Sequence, residues 1–181
     1  SKPTYFDYAT FNGSTSYTYG FESTFNYLHS HKLTFYTSLS LLKNHLGIFY
    51  FDESGDGTDE QFGDRDGAHS PNVSFTLGGR LKISEIITLN VDANYIDDFY
   101  FDEQNDHKSK KHVLLNGSLV YNINKFSISL WGKNLADEMY AIRGYSFVLE
   151  PSTTTGYTED KMNYRSYGSK RTLGITLQYS L

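Results

Sequence analysis

At 181 residues the chain is long enough for one ordinary domain, and its 16 Tyr, 13 Phe and scarce Pro suit strands better than helices. A formal net charge of −5 leaves no basic footprint for nucleic acid, and the lack of Cys excludes a disulfide framework and thiolate chemistry. No apolar run reaches the ~18 residues of a transmembrane helix. The negative mean hydropathy does not exclude a membrane. A transmembrane barrel alternates lipid-facing and lumen-facing residues, so its average stays low. Ser1 opens the chain with neither initiator Met nor signal peptide, as expected after processing or in a piece of a longer protein.

Residues 1 to 14 read as a loop or the end of a preceding strand. Tyr17, Tyr19, Phe21, Phe25 and Tyr27 then fall at period two opposite Thr18, Gly20, Glu22, Thr24 and Asn26, the pattern of a half-buried strand. After the short turn His29 to Lys32, a second strand sets Leu33, Phe35, Leu39 and Leu41 against Thr34, Tyr36, Ser38 and Ser40, and rises into Phe49-Tyr50-Phe51. Residues 52 to 70 form a long polar loop. The third strand opposes Val73, Phe75, Leu77, Leu81 and Ile83 to Ser74, Thr76, Gly78, Arg80 and Lys82. A tight turn at Ser84-Glu85 leads to the fourth, where Ile87, Leu89, Val91, Ala93 and Tyr95 face Thr88, Asn90, Asp92 and Asn94. It ends in Phe99-Tyr100-Phe101. A polar loop at 102 to 111 precedes the fifth strand, with Val113, Leu115, Leu119, Tyr121 and Ile123 against Asn116, Ser118 and Asn122. The turn Asn124-Lys125 starts the sixth strand, Phe126 to Trp131. The seventh, Arg171 to Leu181, alternates to its last residue.

These seven strands have connections that alternate short and long. Outer-membrane barrels sort their turns and loops in this way. Each strand is expected to exceed the ~9–11 residues that cross a tilted bilayer. Glu22, Arg80, Lys82, Asp92 and Asn94, with Lys133, would be costly in a dry core and cheap in a wet lumen, so they are read as lumen-facing. A soluble β-sandwich also alternates, but its turns would not sort by length.

Phe49-Tyr50-Phe51-Asp52-Glu53 recurs as Phe99-Tyr100-Phe101-Asp102-Glu103. Aromatic rings favour a membrane interface, so the repeat is expected to mark an outer aromatic girdle. Asp52-x-Ser54-x-Asp56-Gly57 matches the start of a calcium loop, but Gly63 stands where the closing bidentate Glu is required. A solvated acidic loop is the simpler reading, with weak Ca²⁺ binding at Asp52 and Asp56 as its alternative. His29 and His31 have no third ligand in sequence. Asp97-Asp98 and Asp102-Glu103 read as rim charges, and nothing points to an enzyme or a cofactor. Loop 142 to 165 is the best candidate for ligand contact. It places Arg143, Tyr145, Phe147, Tyr157 and Tyr164 among Ser, Thr and Gly, a composition of adaptable recognition surfaces. Its aromatics could equally belong to the girdle.

Trp131-Gly132-Lys133-Asn134-Leu135-Ala136-Asp137-Glu138-Met139-Tyr140, followed by Arg143-Gly144 and by Tyr167-Gly168-Ser169-Lys170-Arg171 with a terminal strand, resembles the C-terminal end of a TonB-dependent outer-membrane receptor. The family's Asn-Leu-x-Asp-x-x-Tyr pattern is matched by Asn134, Leu135, Asp137 and Tyr140. The family ends on an aromatic, whereas this chain ends on Leu181 with Tyr179 two before it. The resemblance implies an all-β, antiparallel up-and-down transmembrane barrel segment, about seven strands of the family's 22-stranded barrel. Residues 1–181 would be its C-terminal part, without the plug domain. It implies the outer membrane of a Gram-negative bacterium and uptake of a scarce ligand such as a ferric siderophore. The implied partners are outer-membrane lipid and lipopolysaccharide, the TonB complex acting through the plug, and the barrel assembly machinery that reads the last strand. The alternative is a complete small barrel, eight-stranded if residues 5 to 12 add a strand, with a structural or lipid-modifying role.

Overall fold

The computed structural model describes residues 14–52, 57–147 and 162–180. No helix occurs among them. Twelve strands do: β1 (Tyr17–Leu28), β2 (Leu33–Leu46), β3 (Phe49–Phe51), β4 (Glu60–Phe62), β5 (Arg65–Asp66), β6 (Val73–Lys82), β7 (Ile87–Ile96), β8 (His112–Ile123), β9 (Phe126–Lys133), β10 (Ala141–Phe147), β11 (Met162–Tyr167) and β12 (Thr172–Tyr179). Seven of these make one antiparallel up-and-down sheet in the order β1-β2-β6-β7-β8-β9-β12, and β5 extends it beside β2. The seven are the strands that the alternation predicts. The sheet is open, with β1 and β12 at its edges.

Register fixes the two faces. Tyr19 pairs with Lys43, Phe21 with Leu41 and Tyr27 with Phe35. Leu39 meets Phe75, Phe75 meets Tyr95, and Tyr95 meets Val113. Leu119 lies opposite Leu130, and Leu130 opposite Ile175. A side-chain period of two then gives one continuous apolar face, with Tyr27, Phe126 and Tyr179 towards its short-turn end. Among the described residues no second sheet or helix covers it. Leu177 is 73% exposed, Leu173 70% and Ile175 67%. Phe101 and Ala141 are the only buried apolar residues among those described. The accessible surface totals 13593 Å², against roughly 8,900 Å² for a compact monomer of this mass. A sandwich would have covered the apolar face.

The opposite face is polar and hydrogen-bonded across strands. Thr76 Oγ1 donates to Asn94 Oδ1 at 2.8 Å. The amides of Asn94 and Asn116 both donate to Asp92 Oδ2, at 2.6 and 2.8 Å. Arg80 Nε donates to Asn90 Oδ1 at 3.0 Å, and Asn90 Nδ2 to Ser118 Oγ at 3.0 Å. Glu22 sits opposite Ser40, and Lys82 opposite Thr88. The register therefore puts Glu22, Arg80, Lys82, Asp92, Asn94 and, opposite Thr172, Lys133 on this one polar face.

The connections sort by length. Two short turns use the same device: Ser30 Oγ accepts from Lys32 and Leu33 N–H, and Ser84 Oγ from Ile86 and Ile87 N–H. The third, Asn124-Lys125, holds Asn124 at φ 52, a left-handed value that Asn tolerates. Ser180 N–H donates to Lys125 O at 2.9 Å, so the last strand ends beside this turn.

Two expectations are corrected. β9 and β12 have eight residues each, short of the expected ~9–11. β9 stops because Asn134 turns the chain at φ 48. The aromatic repeat does not form a girdle on the apolar face. Phe49 and Phe51 lie in β3, where both pack on Phe62 of β4. Phe101 is 4% exposed and enclosed by loops.

Candidate functional site

The long connections fold onto one another at one end of the sheet. Arg65, the one cation of the 52 to 70 loop, ties two of them. Its Nη1 pairs with Asp106 at 2.8 Å, its Nη2 donates to Asp102 O at 3.1 Å, and its guanidinium lies 4.3 Å from the Tyr100 ring centre. Lys108 stacks on Tyr100 at 4.2 Å and pairs with Asp98 at 3.2 Å. Asp66 pairs with Lys43 and accepts from Asn72 Nδ2. Burial opposes ionisation of Asp66, but these donors prevail and hold its carboxyl below the usual range.

The predicted loop 142 to 165 contains a β-hairpin, β10–β11, in which Tyr145 pairs with Tyr164 and Gly144 with Arg165. Its base docks on the 97–111 connection. Phe101 sits under Gly144, where any Cβ would overlap the ring. Phe101 also packs against His107 at 4.9 Å and His69 at 6.4 Å between ring centres. From β11, Arg165 Nε donates to His107 Nε2 at 2.8 Å. That bond requires neutral His107 with its proton on Nδ1. Burial first, and then the Arg165 guanidinium, push the His107 pKa below 6.5, while Asp102 pulls it up. The hairpin should therefore dock fully above about pH 6.5 and loosen as pH falls through the depressed value, because the undocked state then binds the extra proton. Between pH 7.5 and 5 amide exchange in Met162–Tyr167 should slow less steeply than the intrinsic base-catalysed rate, and His107→Gln should restore the intrinsic slope.

Between hairpin and connection runs an open groove of about 580 Å³ with Arg143, Tyr145 and Ser146 on one wall and Asp102, Gln104 and Asn105 on the other. Of the residues expected to contact ligand, Arg143 and Tyr145 line this groove, and Tyr164 lies on the hairpin beside Tyr145. Phe147 ends β10, and Tyr157 falls outside the described residues. The carboxylate of Asp52 accepts Gly57 N–H at 2.8 Å, and Asp56 falls outside the described residues. No group of three His, Asp or Glu able to hold a metal occurs among the described residues. Sequence reading missed Asp102, Gln104 and Asn105 as groove wall. Their signal was the second copy of the aromatic repeat, which anchors that wall.

The Asn134 motif is a structural knot. Asn134, 4% exposed, donates through Nδ2 to Glu138 O at 2.9 Å and Ser169 O at 3.1 Å, and accepts Glu138 N–H through Oδ1 at 2.9 Å. Its own N–H meets Asn116 Oδ1. Leu135 lies against Gly132, where a Cβ would overlap it. Asp137, at φ 54, accepts Arg171 N–H at 2.8 Å. Tyr140 covers Gly168 and stacks on His112 at 4.7 Å. The knot joins β9, β12 and the foot of the hairpin.

No protein-family model matches the sequence, and no curated protein matches it. Among solved structures, the chain is similar to the siderophore receptor PiuA from Acinetobacter baumannii, with a TM-score of 0.67 and 22% identity. The likeness covers 90% of this chain and 22% of that receptor. The likeness is one of fold: an open, antiparallel up-and-down sheet that matches a barrel fragment. The chain spans about a fifth of the receptor's length.

Proposed function

We propose that the chain is the C-terminal part of the barrel of a TonB-dependent outer-membrane receptor that takes up a scarce ligand, a ferric siderophore. The observation that carries this reading is the pairing of an uncovered apolar face with a hydrogen-bonded polar face on one up-and-down sheet, capped at one end by packed connections. In this reading the apolar face meets outer-membrane lipid, with lipopolysaccharide around the long-connection end. Glu22, Arg80, Lys82, Asp92 and Asn94 line a wet lumen. Arg143, Tyr145, Phe147, Tyr157 and Tyr164 contact ligand from the extracellular side. The TonB complex acts through a plug that belongs to the whole receptor, and the last strand carries the signal for the barrel assembly machinery.

The test is growth of the Gram-negative host on a ferric siderophore as sole iron source after in-frame removal of residues 126–181. Growth should stop on the ferric siderophore and continue on a ferrous salt. Normal siderophore uptake with a leaky outer membrane would contradict the reading and favour a structural barrel.

A further inference from the structure

We infer that the polar face carries a second binding site, distinct from the hairpin groove, for a flat carboxylate-bearing ligand held by Lys133 and Lys170 against Trp131. The inference rests on the reading above, in which this face is wet. The residues line one concavity of about 630 Å³ beneath the hairpin foot, within the ~300–1,000 Å³ of small-molecule sites. Both lysines are exposed, and neither joins an ion pair among the described residues. The carboxylate in the same wall, Asp92, already receives two amide donors on one oxygen. Asp137 nearby is engaged by Arg171 N–H. Among the residues lining the concavity two lysines stand against the single carboxylate of Asp92, so its net charge is positive.

The aromatic planes are fixed before any ligand arrives. Trp131 Nε1 donates to Thr176 Oγ1 at 3.0 Å, and the indole lies over Gly174, where a Cβ would overlap it. Lys133 Nζ sits 5.9 Å from the indole centre. Tyr140, clamped between Gly168 and His112, has no free face and forms a fixed edge of the concavity. A rigid ring beside an ammonium suits a planar anion, whose ring stacks while its carboxylate pairs with lysine.

Trp131 is the chain's one tryptophan, so its fluorescence reports this site alone. The chain folded in detergent micelles is titrated with iodide, caesium and acrylamide as quenchers, and with benzoate, benzyl alcohol and benzylamine as protectants against acrylamide. Iodide should quench more strongly than caesium, and Lys133→Gln with Lys170→Gln should lower iodide quenching by roughly two- to threefold per lysine at low salt. Benzoate alone should protect, and the double variant should lose that protection. Equal quenching by iodide and caesium, or equal protection by benzylamine, would overturn the inference while acrylamide quenching leaves the wet face intact. A chain that is monodisperse in buffer without detergent would instead overturn the membrane reading.

Discussion

Asn134→Ala should destabilise the folded chain in lipid vesicles by roughly 3–5 kcal/mol, read from its urea-unfolding midpoint. The residue is 4% exposed, and its amide makes three side-chain bonds, each contributing about 1 kcal/mol net. Their loss would leave the Glu138 N–H and two carbonyls without these partners. The backbone at φ 48 adds ~1–2 kcal/mol for a residue with a Cβ that Asn tolerates better than Ala. Two controls separate these causes. Asn134→Gly should recover the backbone part alone. Asn134→Asp should keep the acceptor for Glu138 N–H but set a carboxylate against the Glu138 and Ser169 carbonyls. A loss below ~1 kcal/mol for Asn134→Ala would mean that the motif is not holding β9 to β12.

Gly144→Val should release the β10–β11 hairpin from the 97–111 connection. A side chain at Gly144 overlaps the Phe101 ring, and Phe101 is itself held by His107 and His69. The ring has little room to move, so the hairpin must lift. Overpacking of this kind costs ~1–3 kcal/mol, and more where the backbone is pinned. Phe101→Ala alone should cost roughly 3–5 kcal/mol locally by leaving a cavity. In the Phe101→Ala background, Gly144→Val should be nearly neutral, because the cavity accepts the new side chain. That non-additivity distinguishes a direct contact from general damage. Limited proteolysis within 141–167 gives the readout, with fast cleavage in each single variant and slower cleavage in the double. Additive effects would remove Phe101 as the hairpin's seat.

The seven long strands were legible because period-two alternation is a direct consequence of one apolar and one polar face. Leu77 between Thr76 and Gly78 needs no tertiary information to choose its side. The short elements were not legible in the same way. β3 and β4 have three residues each, too few to show a period, and Phe49, Phe51 and Phe62 find one another across a polar loop. The repeat at Phe99 to Phe101 signals aromatic burial correctly but not what buries it. Gly144 covers Phe101 from more than forty residues away, and only the folded connection shows that. The Asn134 motif was recognisable as a pattern, yet its physical content lies in bonds from Asn134 to Ser169 and from Arg171 to Asp137. These join segments on opposite sides of the hairpin. Of the candidate ligand residues, Arg143 and Tyr145 were visible by type, while the facing wall was invisible until the connections packed.

The account stands on β6, where Val73, Phe75, Leu77 and Leu81 occupy one face and Ser74, Thr76, Gly78 and Arg80 the other. These 181 residues contain no Cys, so in the receptor, with any Cys outside them replaced, single cysteines carrying nitroxide labels can be placed along this strand in lipid vesicles. Collisional accessibility to oxygen should peak at 73, 75, 77, 79 and 81. Accessibility to a water-soluble nickel chelate should peak at 74, 76, 78, 80 and 82. A nickel chelate that reaches both faces equally, with no oxygen maximum at Leu77, would contradict the membrane-barrel account.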